Sequence, residues 1–138
     1  MTRAILVFLP VAVAILAAAP GLATPVFVAE SPGHTKFLID DATVKDVAIG
    51  DARVRQVRVL THNAFDPQMT SGQVGADGIM QFDCGALSYR EWSTTSIRKD
   101  GARVEVVRPL ASRRFVPTRE GSFERKLLMV ACTMRKTN

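Results

Sequence analysis

The chain is poor in the residues from which most active and metal sites are built: among 138 residues it has 2 cysteines, 2 histidines, 1 tryptophan and 1 tyrosine. Cys84 and Cys132 form no CxxC pair, and His34 and His62 lie far from both in sequence. That spacing excludes a thioredoxin-like redox motif and argues against tetrahedral zinc, whose ligands usually include at least one close pair. A nucleophile would lack a base, because both histidines fall in or beside expected loops and Gly121-Ser122 lacks the second glycine of a GxSxG elbow. The adjacent carboxylates Asp40 and Asp41 point to opposite faces if the segment is a strand, so they read as a strand-end cap rather than as a general acid and base. Gly72, Gly75 and Gly78 are spaced by three, which is not the GxGxxG of a phosphate cradle. One Trp and one Tyr offer little for stacking nucleobases, so nucleic acid is not an expected partner. These absences point to a non-enzymatic protein with no cofactor and no metal.

A long apolar run is also lacking beyond the N-terminus. There, Arg3 is followed by an almost wholly apolar stretch from Ala4 to Ala19, interrupted by Pro10, and Gly21 and Ala23 are small residues suited to a cleavage site. The stretch is shorter than the ~20 residues a spanning helix needs. Residues 1–23 are therefore expected to be a signal peptide and residues 24–138 a single exported domain beginning at Thr24, with no transmembrane segment after cleavage. Its destination would be the periplasm, the cell surface or the medium. In such an oxidising compartment the Cys84 and Cys132 thiols are expected to form a structural disulfide.

What remains is mostly short alternating runs between turn residues, a β pattern. Strands are expected at Thr35–Asp40, Arg53–Leu60, Ile79–Cys84, Tyr89–Ile97 and Arg103–Val107. In the second, the apolar set slips between Val54 and Val57, which calls for a bulge near Gln56. In the third, Met80, Phe82 and Cys84 share the inward face. Asp100-Gly101 supplies the positive-φ residue of a tight hairpin. Asn63–Gly78, rich in Gly, Pro, Asp and Ser, reads as a long loop. Ser122–Cys132 reads as a helix, with Ser122 as N-cap, Glu124 in the first turn and an apolar stripe of Phe123, Leu127, Val130 and Ala131. Tyr89 and Trp92, three apart on one strand, are expected to face opposite ways.

These residues carry a resemblance. Phe82-Asp83-Cys84, then Tyr89-Arg90, the turn at Asp100-Gly101, Phe115-Val116-Pro117, Gly121-Ser122 and a helix ending in Ala131-Cys132 resemble the surface-adhesin protein E family of small exported bacterial proteins. Phe37-Leu38-Ile39-Asp40, Val44, the turn at Gly50-Asp51 and the strand from Arg53 resemble that family's opening strand pair. Phe115 stands where members commonly carry Trp. The resemblance implies an antiparallel sheet crossed by a C-terminal helix and a binding role. The expected fold is thus α+β: an antiparallel meander of about five strands with one C-terminal α-helix packed on it, tied by the disulfide.

Charge supplies the independent functional signal. The chain carries a net +5, and from Arg103 onward there are nine Lys or Arg against three acidic residues, so the basic character belongs to the end of the chain. Arg113, Arg114, Arg119, Arg125 and Lys126 surround the start of the expected helix and are the candidate ligand-binding residues for a polyanion or an acidic extracellular or envelope protein. The alternative is a periplasmic envelope-associated or enzyme-inhibitor domain that uses the Asn63–Gly78 loop as its contact. A third reading is carriage of a small ligand between sheet and helix. The export reading predicts that the chain recovered from the cell envelope begins at Thr24 with its cysteines oxidised, which non-reducing intact mass checks; a retained N-terminus would overturn it.

Overall fold

A computed structural model describes residues 25–62 and 72–136. The expected signal peptide and most of the Asn63–Gly78 loop lie outside the described residues. The described residues form a 7-stranded antiparallel sheet and one α-helix: β1 (Val26–Glu30), β2 (Lys36–Ile49), β3 (Ala52–His62), β4 (Gln73–Asp83), β5 (Ser88–Arg98), β6 (Arg103–Glu105), β7 (Val116–Pro117) and α1 (Phe123–Thr133). Strands β1 to β6 follow one another as an open meander, and β7 pairs with β5 at Ser88 and Tyr89.

The antiparallel meander, the closing helix and the Cys84–Cys132 disulfide agree with the sequence reading. The strand count does not: seven strands stand where about five were expected. The additions are β1, whose side chains leave only Ala29 buried, and the two-residue β7. Alternation is too weak in one and the segment too short in the other to signal a strand. Gln73–Gly78, read as loop, is the first half of β4. Its glycines are required by close packing of backbones: a Cβ at Gly75 would lie 2.5 Å from the Thr61 carbonyl oxygen, and one at Gly78 would lie 2.6 Å from that of Ser93.

The bulge near Gln56 is absent from β3, whose pairing with β4 runs without interruption from Arg55 to His62. The irregularity lies instead in the partner strand, between Asp40 and Lys45 of β2. There the Thr43 hydroxyl donates to the Asp40 carbonyl (2.6 Å) and accepts from the Arg58 N–H (2.8 Å). The break changes the parity of β2, so that Ile39 and Val44 both enter the helix-side core. In β3 parity is kept, and Val54 is buried outside that core while Val57 and Val59 enter it. Asp40 accordingly serves the bulge, not a strand end: its carboxylate accepts from the Ala42 N–H.

The core packs Ile39, Val44, Val57, Val59, Met80 and Phe82 against Leu127, Leu128 and Ala131 of α1. Ser122 caps the helix by accepting from the Arg125 N–H (3.2 Å). Phe123 sits at the edge of the core, stacked on Phe37 with ring centroids 4.5 Å apart. Three further ties fix the helix. The disulfide joins Cys132 to Cys84 at the end of β4. Arg55 of β3 donates to the carbonyls of Ala131 and Met134 and to Asp46. Arg125 donates to the Thr118 hydroxyl (2.6 Å) and carbonyl (3.1 Å), while Thr118 donates to the Leu87 carbonyl from both its N–H and its hydroxyl.

Replacing both cysteines by serine removes the long closed loop between sheet and helix and is expected to cost about 2–4 kcal/mol. Urea unfolding of the oxidised wild type against the double variant measures this; equal stability would show that the disulfide adds nothing to the core packing and the Arg55 and Thr118 bonds.

Candidate functional site

Strand alternation sends Phe82 and Tyr89 toward α1 and the paired residues Gln81 and Arg90 to the opposite face of the sheet. On that face a hydrogen-bonded row crosses three strands. Gln81 Nε2 donates to Gln56 Oε1 (2.7 Å), and Gln81 Oε1 accepts from Arg90 Nε (2.7 Å). Gln81 is 3% exposed, so its amide depends on these partners. The Arg90 guanidinium is thereby oriented between two rings, 4.9 Å from the centroid of Trp92 and 4.8 Å from that of Phe115.

The segment from β6 to β7 completes the cluster. A 3-10 turn at Leu110–Ser112 ends at Arg113, whose N–H donates to the Leu110 carbonyl (3.0 Å). Its own carbonyl accepts from Arg90 (3.3 Å), and its guanidinium lies 5.2 Å from the Trp92 centroid. The pairing of Val116 with Tyr89 fixes the neighbouring Phe115 beside Arg90. Two guanidinium groups therefore meet at one indole that is 40% exposed. Neither has a carboxylate partner among the described residues, and Arg113 Nε is buried without a hydrogen-bond partner.

Of the five basic residues read from sequence, Arg113 belongs to this cluster. Arg114 follows it, exposed, with Nε donating to the Ala111 carbonyl (3.1 Å). Arg125 is engaged with Thr118 and holds the helix start. Arg119 lies beside Tyr89, Thr118 and Glu124, and Lys126 faces the β1–β2 turn near Glu30 and His34. The structure thus brings Arg113 to the aromatic cluster, leaves Arg114 exposed next to it in the chain, and leaves Arg119, Arg125 and Lys126 around the helix start. Sequence reasoning missed Arg90, Trp92 and Phe115 as a group. The separation of Arg90 and Trp92 by two on one strand was a usable signal, since such residues share a face. The third member is brought in by β7, which the sequence did not announce.

A second charged group stands on the same face. Asp77 of β4 accepts a fork from Arg58 (2.7 and 2.6 Å) and a further bond from Arg103 (2.6 Å), with Asp40 3.6 Å from Arg58. The hydrogen bond from Arg58 above all, against the opposing effect of burial, and then Arg103, hold the Asp77 carboxyl below its ordinary 3.8. Asp46 is likewise lowered, first by its bond from Lys136. Among the described residues no cluster of His, Cys, Asp and Glu fits a metal ion, and no helix is long and apolar enough to cross a membrane.

Because a lowered folded-state pKa favours the native protein only while the group is ionised, the contribution of Asp77 is fully present above 3.8 and is lost as pH falls through its depressed value. Asp77→Asn should cost about 1 kcal/mol at pH 7, the half-exposed arginines limiting the effect. Its melting temperature should also fall less steeply below pH 4 than that of the wild type, as thermal melts across pH would show; parallel curves would contradict the assignment. Comparison with family models, with curated proteins and with solved structures gave no match to this chain.

Proposed function

We propose that this chain is an exported, non-enzymatic binding protein of the surface-adhesin protein E kind, which takes an acidic extracellular ligand on a basic face formed by its C-terminal half. The observation that carries the reading is the meeting of Arg90 and Arg113 on the exposed Trp92 without a carboxylate partner among the described residues. An arginine paired to Asp or Glu has its field largely cancelled, whereas an aromatic ring orients a guanidinium and leaves its charge in place. Arg114 extends the positive surface. The alternative role, as an envelope-associated or inhibitor domain, rests on Asn63–Gly78 as the contact, of which Gln73–Gly78 is part of β4 and residues 63–71 lie outside the described residues.

Trp92 is the single tryptophan of the chain and reports directly on the site. Dextran sulfate is expected to change its fluorescence and neutral dextran to leave it unchanged. Raising salt from about 0.1 M to about 1 M, which shortens the screening length from ~10 Å to ~3 Å, should weaken binding at least roughly tenfold. The double change Arg113→Glu with Arg114→Glu should weaken it further. Equal affinity at both salt concentrations would remove the reading. Protease treatment of intact producing cells separates surface display, in which the protein is digested, from a periplasmic location, in which it is protected.

A further inference from the structure

Beyond the face that carries Trp92, the helix side of the sheet holds an open cavity of about 140 Å³ at the N-terminal end of α1. Its walls are Val59, Met80, Leu127 and the stacked pair Phe37 and Phe123. The floor is Ala76 and Gly78 of β4, which supply almost no side chain. At Gly78 none can be supplied, because a Cβ would strike the Ser93 carbonyl. The space is therefore a consequence of backbone approach at Gly78 and of a small side chain at Ala76. It is comparable to the roughly 150 Å³ engineered cavity that holds benzene.

Charge at the mouth is predominantly negative. Glu91 and Glu124 line it against one cation, Arg108, and that cation is already paired to Glu91 (2.7 Å). Tyr89 stands beside both carboxylates: burial first, then the negative charge of Glu124 and Glu91, push its hydroxyl above the ordinary range. An anionic head group would meet Glu124 with no free cation among the lining residues, whereas a protonated amine would gain a charge-assisted hydrogen bond.

We propose that this cavity binds a small molecule with a one-ring or short-chain apolar body, seated between Phe123 and the Ala76–Gly78 floor, and a protonated amine directed at Glu124. This site is separate from the anion-binding reading, on the opposite face of the sheet, and stands or falls independently of it.

The probe is benzylamine, titrated at millimolar concentrations into the oxidised protein while methyl NMR signals of Ala76, Met80 and Leu127 are followed, with benzyl alcohol and benzoate as the neutral and anionic counterparts. Saturable shifts at those methyls are expected for benzylamine, roughly tenfold weaker binding for benzyl alcohol, and none for benzoate. Glu124→Gln should remove the preference for benzylamine over benzyl alcohol while leaving the methyl spectrum of the free protein in place. Ala76→Leu should abolish binding by filling the floor; should that variant not fold, Glu124→Gln alone decides. Absence of shifts at the cavity methyls, equal binding of benzoate and benzylamine, or an unchanged preference in Glu124→Gln would each overturn the proposal.

Discussion

The structure depends on how one helix of eleven residues is held to an open sheet. A helix of this length is marginal alone, so its stability must come from the surface on which it lies. Apolar burial of Leu127, Leu128 and Ala131 supplies the driving force, but that force has no direction. Direction comes from both ends. At the C-terminal end the disulfide and the Arg55 bonds to the Ala131 and Met134 carbonyls act together. At the N-terminal end Arg125 and Thr118 reach the Leu87 carbonyl. Cys84 and Leu87 belong to the same β4–β5 connection, so one short turn anchors both ends of the helix. Leu87 adopts φ 52°, costly for a residue with a side chain, and the two bonds that Thr118 donates to its carbonyl hold it there.

Fixing the helix along one part of the sheet gives the two faces different characters. On the helix side the apolar core ends near Phe123, and beyond it the small residues of β4 leave the cavity. On the other side no helix packs among the described residues, and polar side chains satisfy one another across strands. Gln56, Gln81 and Arg90 form one row, and Asp40, Arg58, Asp77 and Arg103 another. Each row joins residues from at least three strands, so the face resists slippage of register without an apolar layer.

The central strands and the helix were legible because their periodicity is strong and their caps are explicit. Ser122 caps where its side chain suits a cap, and the turns at Gly50 and Gly101 take the positive φ that glycine permits. The missing parts share a physical cause: they are fixed by partners rather than by local pattern. Gln73–Gly78 contains three residues that discourage a strand, yet its glycines are needed for β3 and β5 to approach. The apparent slip in β3 was real, but it reflected Val54 buried on a second face, and the compensating bulge fell in β2, where nothing in the local sequence marks it. The basic surface was visible as composition. Its organisation around Trp92 was not, because it needs the pairing of β7 with β5.

The arginines of the structure divide by what satisfies them. Arg55 and Arg58 end on carboxylates and, for Arg55, also on carbonyls, and Arg125 on a hydroxyl and a carbonyl; these are parts of the scaffold, with little freedom to take another partner. Arg90 and Arg113 are, like Arg125, held by neutral groups, but theirs include aromatic rings beside an amide and a carbonyl. Both arrangements immobilise a guanidinium, so both have already lost the side-chain entropy that binding would otherwise cost. Among the described residues the second leaves the positive charge without a carboxylate partner, as the neutral partners of Arg125 also do, but Arg90 and Arg113 are the pair that meets at an exposed ring. Pre-orientation combined with an intact field is what an anion-binding surface requires, and in this fold the two conditions coincide at Trp92 rather than along the basic tail as a whole.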